Sequence, residues 1–230
     1  MLNAMLQDRP RRLSIWFDYA SPYAYLAVSR VGVLARERVP DCEIDWRPFL
    51  LGPIFQRRSN SAGPFMEMSP AERHYRWRDL KRHAALYGIP WTLPKRYPPA
   101  GLNAARLTLV ALERGWGEAL IHALYRAAFV EDRDIGDDLV LAGIVADLGH
   151  DAADLLTAMK SSAIKARLTR QVETAIEGGL FGAPSFVVDG DGTGTGGEVF
   201  WGNDRLEQAL AWASAPWLEQ EKHQEAVQGA

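Results

Sequence analysis

The sequence predicts an α/β fold in which a βαβ opening and a ββα close are separated by a long run of helices, and three observations carry that prediction. A short run of β-formers at residues 13–18 leads directly into a Ser-Pro helix start and then into a second short run that alternates with period two. Between Leu51 and residue 175 there is no convincing strand, and apolar positions recur at helical spacing instead. From Pro184 onward two further β-rich runs flank a connector of Gly, Asp and Thr, before a last helical segment.

Taken in order, Leu13-Ser14-Ile15-Trp16-Phe17-Asp18 is apolar on both faces, as a central buried strand is. Ser21 can cap the next helix and Pro22 can take its first position, where a missing N–H costs nothing. That helix is expected to run to Val39, before Pro40. Cys42-Glu43-Ile44-Asp45-Trp46-Arg47 alternates and ends at Pro48, giving a second strand after one helical crossover. Helices are predicted at residues 70–87, 100–114, 116–129, 137–148 and 163–178. Residues 184–189 and 198–201 read as strands of a hairpin, and Asn203 or Asp204 can cap a final helix reaching Trp212. This order is the thioredoxin-like arrangement with a helical domain inserted between its halves. The expected division is a thioredoxin-like domain at residues 10–52 and 176–214, a helical insertion at 53–175 and a polar C-terminal tail at 215–230.

Composition narrows the function. With 47% hydrophobic and 24% charged residues in 230, the chain has the balance of a soluble globular protein. Lys plus Arg is 26 and Asp plus Glu 29, a net charge of -3, which argues against non-specific nucleic-acid or membrane binding. The single Cys42 excludes a disulfide framework, a CxxC redox pair and a multi-cysteine zinc site. No apolar stretch is long enough to span a membrane, and residues 1–12 lack the apolar core of a secretory signal, so a cytoplasmic, reducing setting is expected. The five histidines show no metal-ligand spacing, no Gly-Lys-Ser/Thr follows the glycines at 192–197, and there is no GxSxG elbow.

Ser21 stands where a buried strand meets a helix N-terminus, a place whose free N–H groups and dipole favour a thiolate or carboxylate, although the dipeptide alone favours a simple helix cap. The Ala183-Pro184 bond is a candidate cis peptide that would present the backbone of Ala183 as a strand edge. At Asn203 and Asp204 a second helix start could hold a carboxylate and an ammonium together, the two charges of an amino-acid head group. The arginines at 57, 58, 73, 76, 78 and 82 read as a solvated face, with one or two turned towards an anionic substrate.

Four segments in this order resemble the 2-hydroxychromene-2-carboxylate isomerase family, which groups with DsbA-like thioredoxin folds and kappa-class glutathione transferases. They are residues 17–26 (FDYASPYAYL), 48–55 (PFLLGPIF), 181–186 (FGAPSF) and 200–206 (FWGNDRL). The resemblance implies a glutathione-dependent isomerase acting on a conjugated aromatic carboxylate by reversible thiolate addition and bond rotation. Ser21 would stand in for the nucleophilic cysteine of the redox relatives, and the thiol would come from glutathione. Ala183 and Pro184 would then pair with its cysteinyl backbone, Asn203 and Asp204 would face its γ-glutamyl end, and Asn60 would lie near thiol and substrate. The chain differs from the family in carrying Glu72 in place of a lysine and Ala100 in place of an asparagine. A kappa-type transferase retaining the conjugate, or a non-catalytic DsbA-like binding module, are the alternatives; a homodimer is expected because the related families are commonly dimeric.

Overall fold

The computed structural model describes residues 11–59, 63, 67–188 and 194–214; Asn60, the middle of the hairpin connector and the tail lie outside these. Strand β1 (Arg12–Phe17) leads through helix α1 (Pro22–Arg38) to β2 (Glu43–Pro48) and α2 (Leu51–Ser59). Helices α3 (Pro70–Leu86), α4 (Leu102–Glu113), α5 (Gly117–Phe129), α6 (Asp138–Asp147), α7 (Ala152–Met159) and α8 (Ser162–Glu177) follow. The chain closes with β3 (Ser185–Val188), β4 (Glu198–Trp201), a 3-10 turn (Asn203–Arg205) and α9 (Leu206–Ser214).

The sheet order is β2-β1-β3-β4. β1 pairs in parallel with β2 and antiparallel with β3, which pairs antiparallel with β4. β1 is therefore central, and its lack of a polar face has a structural cause. Leu13, Ile15 and Phe17 point into a core shared with α1, α4, α5 and α9, while Trp16 points the other way, onto Phe49, Leu51, Ile54, Val172 and Ala175 of the layer built by α2 and α8. The buried Trp16 indole N–H donates to the Gly194 carbonyl at 2.6 Å, removing the roughly 1–3 kcal/mol cost of an unpaired donor. The inserted helices and the sheet thus pack on common cores. Among the described residues no helix is long and apolar enough to cross a membrane.

Two helices, α2 and α7, escape the periodicity argument. α2 begins Leu51-Gly52-Pro53, which reads as a break, but proline is tolerated in a first turn and the Leu51 N–H is satisfied by the distant Asp18 carboxylate at 2.7 Å. α7 is too short to show a period and rests on its cap, Asp151 accepting from Ala153 and Asp154. The final helix also starts differently from expectation. Neither Asn203 nor Asp204 caps it with a side chain, because a 3-10 turn entered from Gly202 at φ 115° precedes it. Glu72 proves to be the third residue of a capping box: its carboxylate accepts from Ser69 N at 2.8 Å, and its own N–H donates to Ser69 Oγ at 3.3 Å.

Candidate active site

At the carboxyl end of β1 the chain turns sharply into α1, and this turn forms the floor of a cleft of about 730 Å³. Ser21 is the N-cap of α1 and Pro22 its first residue. The Ser21 N–H donates to Asp18 O at 2.9 Å, its Oγ accepts from Ala24 N at 3.2 Å, and its hydroxyl donates to the carbonyl of Ala183 at 2.8 Å. The Ala24 and Tyr25 N–H groups of the first turn are spent on Ser21 itself, and Pro22 has none. That leaves the Tyr23 N–H without a hydrogen-bond partner among the described residues, at the positive end of a helix of 17 residues.

Asp18 organises the floor from beneath. One carboxylate oxygen accepts from Ala20 N at 2.8 Å and the other from Leu51 N at 2.7 Å, so a single side chain joins the β1–α1 and β2–α2 turns. Burial raises its pKa above the usual 3.8, while the two backbone N–H bonds oppose that rise. Its carbonyl takes the Tyr125 hydroxyl at 2.9 Å, and Tyr97 donates to the Ala20 carbonyl at 2.9 Å, bracing the turn from the side. The Tyr23 hydroxyl donates to Asp79 at 3.0 Å; burial first, and the Asp79 charge next, push its pKa up to about 12, so it remains a neutral phenol.

The walls come from both layers of the fold. α1, α3 and the segment at Tyr97-Pro98 contribute Tyr23, Arg76, Tyr97 and Pro98. α2, the segment before β3 and β4 contribute Leu51, Phe55, Arg58, Phe181, Gly182, Ala183 and Trp201. The Ala183-Pro184 bond is cis, as is Tyr97-Pro98.

Of the residues singled out from the sequence, Ser21 and Ala183 meet in the cleft, with Pro184 buried behind Ala183. Asn60 lies outside the described residues. Asn203 and Asp204 do not line the cleft. Asn203 is buried against α1, accepting from the Arg30 guanidinium at 3.3 Å, and Asp204 is exposed and paired with Arg205 at 3.3 Å. Asp18, Tyr97 and Trp201 were not picked out as site residues. Asp18 carries one legible sign, an acid directly after a buried strand and three residues before a Ser-Pro cap; Tyr97 and Trp201 carry none, since only tertiary packing brings them here.

A DSBA-like thioredoxin domain is matched over residues 12–211. This chain belongs to the DsbA-like thioredoxin family. Within that family it is 30% identical over 197 residues to a 2-hydroxychromene-2-carboxylate isomerase of Sphingobium xenophagum, a match covering 86% of this chain and 95% of the relative. It is 28% identical over 213 residues to glutathione S-transferase kappa 2 of Caenorhabditis elegans, covering 89% and 92%. The solved structure of a 2-hydroxychromene-2-carboxylate isomerase superposes with a TM-score of 0.77 at 25% identity, over 92% of this chain and 98% of that one. These relatives support an enzyme of the isomerase and kappa-transferase branch of the DsbA-like family.

Proposed function

We propose that the protein is a glutathione-dependent isomerase of a conjugated aromatic carboxylate such as 2-hydroxychromene-2-carboxylate. One observation carries the reading: the cleft has a position suited to a thiolate, at a helix N-terminus beside an N–H with no partner among the described residues, yet it presents a hydroxyl there. Cys42, the chain's one thiol, lies just before β2 and does not line the cleft.

The residues present fit glutathione. Ser21 and Tyr23 N–H would face its thiol, the backbone of Ala183 would run beside its peptide, and the Arg76 guanidinium offers a partner for a carboxylate. When bound, glutathione supplies a thiolate able to add reversibly to a conjugated double bond and so free it to rotate. The chain's part is to hold that sulfur ionised. Ser21 does so by turning its hydroxyl from the neutral Ala183 carbonyl to an anion, exchanging a bond worth about 0.5–1.5 kcal/mol for one worth about 1.5–3. The helix terminus adds roughly 0.3–2 kcal/mol. Since one pKa unit is about 1.4 kcal/mol, a thiol of ordinary pKa about 8.5 can be brought near neutrality by these two contributions.

The test is the rate of glutathione-dependent isomerisation of 2-hydroxychromene-2-carboxylate, wild type against Ser21→Ala, at matched folded fraction. Loss of this bond should slow turnover by up to about thirtyfold near neutral pH, since a thiol of pKa about 8.5 is still about 3% ionised at pH 7, with partial recovery as pH rises. Equal rates at every pH would reduce Ser21 to a helix cap. Similarity to the kappa transferase supports a second reading, in which glutathione stays attached to the product; recovery of free glutathione after turnover separates the two.

A further inference from the structure

The part of the cleft lining that comes from α2, the segment before β3 and β4 carries an arrangement that holding a thiol does not require. Phe181 and Trp201 are large aromatics left 39% and 52% exposed. Their rings meet at 4.8 Å between centroids and 63° between planes, and both line the cleft. The Arg58 guanidinium carbon stands 5.7 Å from the Phe181 ring centroid, and Arg58 forms no ion pair with an acid among the described residues. The pair is positioned from two directions. β4 carries Trp201 through its pairing with Ser185, and Gly182 leaves the space the indole fills, since a Cβ there would collide with it. Two exposed ring surfaces set at an angle, beside a cation with no acidic partner among the described residues, complement a flat apolar ring bearing a negative group. A peptide backbone needs donors and acceptors, which this wall offers at the neighbouring Ala183 instead.

We infer that Phe181, Trp201 and Arg58 form the binding ledge for the aromatic carboxylate substrate, with the ring against Phe181 and Trp201 and the carboxylate at Arg58. The inference rests on the isomerase reading above and adds residues and a location to it. The two arginines of the cleft then divide the work. Arg76, from the layer of α1 and α3, faces the cofactor's side, and Arg58, from the layer of α2 and α8, faces the substrate's.

Calorimetric titration with 2-naphthoate and its uncharged analogue 2-naphthamide tests this, run on wild type, Trp201→Leu and Arg58→Gln. Both altered side chains are exposed, so the variants should fold. Trp201→Leu should weaken both ligands, by about tenfold. Arg58→Gln should weaken naphthoate alone, again by about tenfold, and abolish the wild-type preference for the charged ligand. The rise in Tm on adding glutathione, measured on the same proteins, should survive in both variants. Naphthoate binding that is absent from the wild type, or the same in all three proteins, would overturn the ledge. So would loss of the glutathione effect in both variants with naphthoate affinity intact, which would assign these residues to the cofactor. A wild type insensitive to glutathione, but showing the predicted naphthoate pattern, would remove the cofactor reading and leave the ledge standing.

Discussion

Ser21 and Asp18 divide the labour at the floor of the cleft: one presents a hydroxyl to whatever is bound, the other fixes the turn that carries it. The role of Ser21 as cap was legible from a dipeptide, because capping is local chemistry. The role of Asp18 was not, because its second partner, Leu51 N, arrives from another turn. The burial that raises the Asp18 pKa has a consequence for stability with a definite sign. A carboxyl whose folded-state pKa exceeds its unfolded value binds its proton more tightly when folded. Its contribution is therefore complete below the ordinary value of 3.8 and is lost as pH rises through the raised folded-state value. Urea unfolding of wild type and Asp18→Asn across that window should show the wild type's relative stability falling with rising pH. A difference that grows with pH would mean that the two N–H bonds outweigh burial.

Between elements, the junction of α1 with α9 is built around Arg30. Arg30, buried within α1, donates to Asn203, pairs with Glu207 and stacks 3.7 Å over the Tyr87 ring. Asn203→Ala should lower unfolding free energy by about 1–3 kcal/mol by leaving a buried guanidinium N–H unpaired, whereas Asp204→Ala, at an exposed pair, should stay within about 0.5 kcal/mol. Chemical denaturation midpoints check both; the reverse ranking would contradict the junction as described. Strands β1 and β2 and helices α1 and α3 to α6 were legible because each carries its own period or cap. α2 was hidden by Gly52-Pro53 and is secured by Asp18 from outside its own sequence, so no local pattern could disclose it. The side chain of Asn203 was equally illegible: the sequence placed it at a helix start, and the 3-10 turn there directs it onto Arg30.

Across the whole molecule, a thioredoxin-like sheet and its inserted helices enclose a cleft whose floor is the β1–α1 turn and whose walls come from the layers on both faces of β1. The thioredoxin-like order, apart from α2 and α7, was readable from β-rich runs and helical spacing, and Ser21 on the floor from its Ser-Pro dipeptide. The walls were not, since Arg58, Arg76, Tyr97 and Trp201 converge only once two layers pack on opposite faces of β1. The central claim is that this cleft ionises a thiol it does not own. Ultraviolet titration of the thiolate of glutathione bound to the protein measures that directly, with Cys42→Ser as background so that the chain's own thiol adds no signal. The bound thiol should titrate about one to three pH units below the free value of about 8.5, and in a Ser21→Ala variant of the same background it should move back by up to about two, the net of exchanging the Ala183 bond for the bond to sulfur. A bound thiol that titrates at the free value, with Ser21 present, would contradict the account.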